Sequence, residues 1–74
     1  MTKLTAKKGI CPVCKSEQVT YYDSEVRDEF ITCECQCDEC DATWNEDYNL
    51  VFAGVSRVCS KDGEQLADVL DAEE

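Results

Sequence analysis

Two Cys-x-x-Cys pairs, Cys11-Pro12-Val13-Cys14 and Cys37-Asp38-Glu39-Cys40, constrain this chain more than any other feature. With 74 residues it holds one domain at most. At that size apolar burial barely offsets chain entropy, and small domains usually add a disulfide or a metal. The two pairs match a four-thiolate zinc site. Each tight turn aims two sulfurs inward while backbone amides face their charge, and residues 15–36 form the hairpin that brings the turns together. Zinc bound by such turns supplies on the order of 10–16 kcal/mol near neutral pH. That compares with a total stability of ~5–15 kcal/mol for ordinary domains. We therefore expect one structural Zn2+ on Cys11, Cys14, Cys37 and Cys40. Iron is the chemical alternative for four thiolates, but the acids around Cys40 offer a redox iron little shielding.

The remaining cysteines leave choices open. Cys33 and Cys35 would project to the same strand face as Cys37. They can be small buried thiols that behave as hydrophobes, Cys35 can exchange with Cys37 as a ligand, or all seven cysteines can hold a metal cluster. Cys59 stands alone in sequence. The first residues carry charge without an apolar run fit for a signal peptide, and nowhere do 18 apolar residues run together. A cytoplasmic chain with reduced thiols and no membrane contact is expected, and there such spacings point to metal.

Charge is the second constraint. Seven basic residues face 17 acidic ones, for a net charge of −10, and histidine is absent. Lys3, Lys7, Lys8 and Lys15 precede every acid, so the rest of the chain is more negative still. A zinc ion held by four thiolates adds roughly two further negative charges. Such a field repels phosphate backbones. Direct nucleic-acid binding is thus disfavoured, and a protein partner with a basic surface is favoured.

Along the chain, residues 1–9 read as a flexible basic tail, 10–60 as a zinc-ribbon domain, and 61–74 as a short acidic helix. Gln18–Tyr22 is rich in β-formers. Asp23–Glu29 carries four acids without apolar periodicity and suits an exposed turn. Ile31–Cys37 alternates with period 2, and Trp44, Tyr48, Leu50 and Phe52 fall at even positions of a third strand, Thr43–Phe52, interrupted by Glu46. Val55–Val58 is a candidate short strand. Near the end, Asp62 can cap a helix with Gln65 as its reciprocal partner, and Leu66, Val69 and Leu70 then form one apolar stripe. The fold expected is a small metal-stabilised β domain, a three-stranded antiparallel sheet with a short C-terminal helix. That stripe either covers the sheet or meets a partner.

These motifs, from Cys11-Pro12-Val13-Cys14-Lys15-Ser16 through the acidic hairpin to Cys37-Asp38-Glu39-Cys40-Asp41-Ala42-Thr43-Trp44, resemble small zinc-ribbon proteins common in bacteriophages and bacteria, over about residues 10–52. In that family a glycine often follows the second cysteine of each turn, where positive φ is favoured; here Lys15 and Asp41 stand there. Many such ribbons are accessory factors in transcription. A narrower resemblance is to the transcript-cleavage elongation factors, whose ribbon carries an Arg and an Asp-Glu pair at the hairpin tip. Arg27-Asp28-Glu29 occupies a comparable place, and Asp28 and Glu29 could hold a magnesium ion at another protein's active site.

The expectation on function is a non-enzymatic, acidic zinc-binding module that docks on a basic surface of a nucleic-acid-handling protein, RNA polymerase first, and modulates or inhibits it. If the chain is phage-encoded, that place is the host cytoplasm. The alternatives are a nucleic-acid-binding ribbon or a cleavage-type accessory factor. Catalysis is not expected: there is no histidine, no glycine-rich phosphate loop and no open ligand position.

Overall fold

A computed structural model describes residues 4–49 and 51–72. Five strands, β1 (Val19–Arg27), β2 (Phe30–Cys37), β3 (Thr43–Asn49), β4 (Val51–Cys59) and β5 (Gln65–Asp71), pair in chain order as one antiparallel sheet. No helix occurs among the described residues. The three-stranded sheet with a C-terminal helix expected from sequence is therefore corrected on both counts.

The helix fails for reasons of length and local chemistry. So short a helix is marginal alone, whereas the outer edge of β4 offers a row of backbone partners. The residue after Asp62 is Gly63, whose φ of 87° suits a turn. The N–H of Gly63 bonds the carbonyl of Ser60 at 2.9 Å, and the N–H of Ser60 bonds that of Glu64 at 2.8 Å. The chain thus reverses where a cap was expected. On β5 the stripe divides: Leu70 packs on the core with Ala67, while Leu66 and Val69 are exposed. Segment 61–72 belongs to the sheet and is not an appendage. Gly54 makes this pairing possible. A Cβ there would lie 2.2 Å from the carbonyl oxygen of Leu70.

Two further boundaries move. The acidic segment after Tyr22 continues β1 as far as Arg27, so Asp28 and Glu29 alone form the turn. The expected strand Thr43–Phe52 divides into β3 and β4, with Asn49 opposite Val51; Leu50 lies outside the described residues. An extra residue at Tyr22 shifts the β1–β2 register, so Tyr21 faces Cys35 while Val26 faces Ile31. A second irregularity surrounds Arg57, whose φ is 52°. It lets Val55 and Val58, three residues apart, both reach the interior.

One sheet face forms the core. Cys35 of β2 stands opposite Trp44 of β3, and Cys33 opposite Glu46. Cys35, Cys37, Trp44, Val55 and Val58 are buried together with Ala6, Cys11 and Ala42. Thr5 and Ala6, expected in a loose tail, are buried, and the N–H of Thr5 bonds the carbonyl of Pro12 at 3.0 Å. The segment from residue 4 onward thus packs with the sheet, because Ala6 and Cys11 close over its apolar face; residues 1–3 lie outside the described residues.

Candidate metal centre

The two Cys-x-x-Cys segments build the same local structure. In the first, the N–H groups of Val13 and Cys14 each point at Cys11 Sγ at 3.4 Å. In the second, those of Glu39 and Cys40 point at Cys37 Sγ at 3.3 and 3.4 Å. The chain then turns back: Lys15 N–H bonds the Cys11 carbonyl at 2.9 Å, and Asp41 N–H bonds the Cys37 carbonyl at 3.0 Å. Both turns close when the first cysteine's N–H reaches a carbonyl five residues on, Cys11 to Ser16 and Cys37 to Ala42, each at 2.9 Å. Lys15 and Asp41 hold φ of 63° and 61°, the left-handed conformation that glycine adopts most readily.

The fold brings the turns face to face. Cys37 closes β2 opposite Val19 of β1. Asp38 of the second turn is tied to β1 by its N–H on the Gln18 carbonyl at 2.8 Å. Its carboxylate also accepts the Thr20 hydroxyl, with its oxygens 2.9 and 3.0 Å away. The sulfurs of Cys11, Cys14, Cys37 and Cys40 all lie within 4.8 Å of one another. Cys11 Sγ is 3.6 Å from Cys40 Sγ, and Cys14 Sγ is 3.4 Å from Cys37 Sγ. A tetrahedron with zinc–sulfur bonds of about 2.3 Å has edges of about 3.8 Å. The donor set therefore fits one thiolate-bound metal ion, and zinc suits it chemically.

The thiols differ in their surroundings. Burial pushes Cys11 up to about 12, although the Cys14 and Val13 amides pull the other way. At Cys37 burial also raises, but the N–H groups of Cys40 and Glu39 outweigh it and hold the thiol below its ordinary value. Burial raises Cys40. A divalent cation must displace the protons that burial retains on Cys11 and Cys40, and its charge offsets that of the thiolates that ligate it.

The other sequence candidates lie elsewhere. Among the described residues these four cysteines are the group that can hold a metal; Cys33, Cys35 and Cys59 are outside it. Cys35 is buried beneath the sheet and pushed up to about 12, first by burial and then by the charge of Glu46. Asp28 and Glu29 sit exposed at the β1–β2 turn. At ~3.3 Å per residue along β2, that is roughly 20–25 Å from Cys37. Leu66, Val69 and Leu70 are on β5, away from both turns in sequence.

Glu46, an interruption in the apolar pattern of Thr43–Phe52, is a fully buried acid. Its Oε1 accepts the hydroxyls of Tyr21 at 3.0 Å and Tyr48 at 2.7 Å, and its Oε2 accepts the N–H of Gly9 at 3.2 Å. Gly9 stands two residues before Cys11, so one carboxylate ties the first cysteine turn to β1 and β3. The signal for this was available: Glu46 shares its even position with Trp44 and Tyr48, which puts it on the core face. The indole Nε1 of Trp44 is buried without a hydrogen-bond partner among the described residues.

No described helix is long and apolar enough to cross a membrane. Compared with protein-family models, curated proteins and solved structures, the chain finds no match.

Proposed function

We propose that this chain is a non-catalytic protein-binding module, pinned by one structural zinc ion, whose acidic surface docks on a basic surface of a partner. The observation that carries this reading is the sulfur tetrad, all four atoms within 4.8 Å of one another, in a chain of net charge −10. Its ligands fill a tetrahedral shell and leave no position for a substrate. The chain then offers a small rigid body whose surface charge is strongly of one sign. Complementary charge steers such a body to a positive patch, and enzymes that handle nucleic acids present the strongest of these. RNA polymerase is the first partner to test. An acidic domain seated in a channel built for phosphate would compete with the nucleic acid.

The test is direct binding of the zinc-loaded chain to purified RNA polymerase, with salt raised from about 50 to 300 mM, a range over which exposed charges are progressively screened. Binding that weakens steeply supports electrostatic docking. Binding indifferent to salt, or tight binding of single-stranded nucleic acid at physiological salt, defeats it.

A further inference from the structure

The core face of the sheet is covered at its metal end and open at the other. Residues 5–12 close over Trp44 and Glu46 through Ala6, Cys11 and the Gly9 hydrogen bond. Beyond Glu46, toward the β1–β2 turn, Val26, Ile31, Tyr48 and Phe52 stand directly opposite one another, one from each of four consecutive strands. Residues paired across antiparallel strands share a face, so these four form one apolar row. The extra residue at Tyr22 is what brings Val26 onto it. Val26 is 75% and Ile31 39% exposed. The Tyr48 and Phe52 rings meet edge to face with centroids 5.5 Å apart. A shallow groove runs along its end between Val26, Phe30, Ile31 and Tyr48, and Arg27, Asp28 and Glu29 of the β1–β2 connection also line it.

From this geometry we infer that the Val26–Ile31–Tyr48–Phe52 row is the contact surface of the module, and that its occupant is a segment of a partner protein carrying apolar side chains flanked by Lys or Arg. The inference rests on the docking reading above and gives it a location. The apolar row alone does not choose an occupant; the charge around it does. Arg27 lines the groove too but is paired with Glu25 at 2.5 Å, so Asp28 and Glu29 give this end its net negative charge. A second copy of this chain would bring another body of net charge −10 against the same acids, so self-association opposes the field. A basic, apolar segment satisfies both: its side chains cover the row and its cations meet Asp28 and Glu29.

Three synthetic peptides test this against the isotope-labelled, zinc-loaded chain by NMR titration: alternating Lys and Leu, alternating Lys and Ser, and alternating Glu and Leu. The Lys/Leu peptide is expected to bind, with amide shifts centred on Val26, Ile31, Tyr48 and Phe52. Its affinity should fall about tenfold in Val26→Ser, a change at an exposed position that leaves the core intact, and less in Asp28→Asn with Glu29→Gln. Equal binding of the Lys/Ser peptide, with no loss in Val26→Ser, would overturn the apolar surface and leave acidic docking standing. If neither lysine peptide binds, both readings fall. Preference for the Glu/Leu peptide, or a dimer in sedimentation that Val26→Ser dissolves, assigns the row a different occupant and overturns the inference.

Discussion

Tyr48 donates its hydroxyl to Glu46 at 2.7 Å, and the acceptor is a fully buried carboxylate. Through the same side chain the N–H of Gly9 is held at 3.2 Å. The contact therefore joins the open apolar row, of which Tyr48 is a member, to the covered metal end. A buried charge is tolerable only when its oxygens are satisfied, and here three donors do so.

Removing that acceptor strands the donors. Glu46→Ala is expected to destabilise the zinc-loaded protein by about 3 kcal/mol, combining a lost side chain with buried groups left unpaired. Glu46→Gln, which keeps one carbonyl oxygen, should lose less. Chemical denaturation measures both. Equal stability of Glu46→Ala and the parent would show that the carboxylate is not a fastener.

The candidate metal site separates the cysteines. One zinc ion per chain is expected, and Cys37→Ser should abolish tight binding whereas Cys35→Ser and Cys59→Ser should not. A cobalt-loaded sample, read by its thiolate charge-transfer absorption, checks this without relying on function. Stripping the metal with a strong chelator should unfold the reduced chain, since zinc binding and folding are one equilibrium. Lowering pH should have the same end point as the ligand thiolates take up protons. A metal-free chain that keeps its sheet would contradict the assignment.

Alkaline pH strikes a different part of the molecule. Burial first, and then the hydrogen bond to Glu46 and the charge of its carboxylate, raise the phenols of both Tyr21 and Tyr48 above the ordinary value of 10.0. The unfolded chain releases these protons near pH 10 and the folded chain only above it. Proton binding is therefore tighter in the folded state, and stability falls as pH rises past 10. Below that value these two groups contribute a constant amount. Thermal melts from neutral to alkaline pH should show the decline, and Tyr48→Phe should make it shallower.

Gly54→Ala is expected to detach β5. Its Cβ would meet a backbone carbonyl 2.2 Å away, and backbone cannot rotate aside as a side chain can. A loss of about 2–4 kcal/mol is expected. Faster amide exchange should be confined to β5 and the β4 residues that face it, with the metal still bound. Wild-type exchange rates there would mean that β5 contributes little.

Several of these features were legible in the residues alone. The Cys-x-x-Cys turns fix their own geometry within six residues, since each cysteine sulfur, its amides and the closing carbonyl are all local. Alternation in Ile31–Cys37 identified β2 correctly for the same reason, that a half-buried strand writes its period into the chain. The C-terminal segment shows where this stops. Leu66, Val69 and Leu70 have helical spacing, but Ala67 and Leu70 of β5 stand opposite Val58 and Val55 of β4. The latter two reach the interior together because of the irregularity at Arg57. That three-residue spacing reflects a kinked sheet. Asp62-Gly63 was the local clue to the reversal.

By itself, then, the sequence determined that this chain carries two self-sufficient sulfur-presenting turns, a strongly negative surface and strands between them, because each depends on neighbours in the chain. Only the tertiary structure decided that the final segment is a strand, that Glu46 is interior and useful, and that an apolar row lies open across four strands. Those outcomes depend on register and on backbone approach between distant segments, such as Gly54 beneath the Leu70 carbonyl, and no local pattern encodes them.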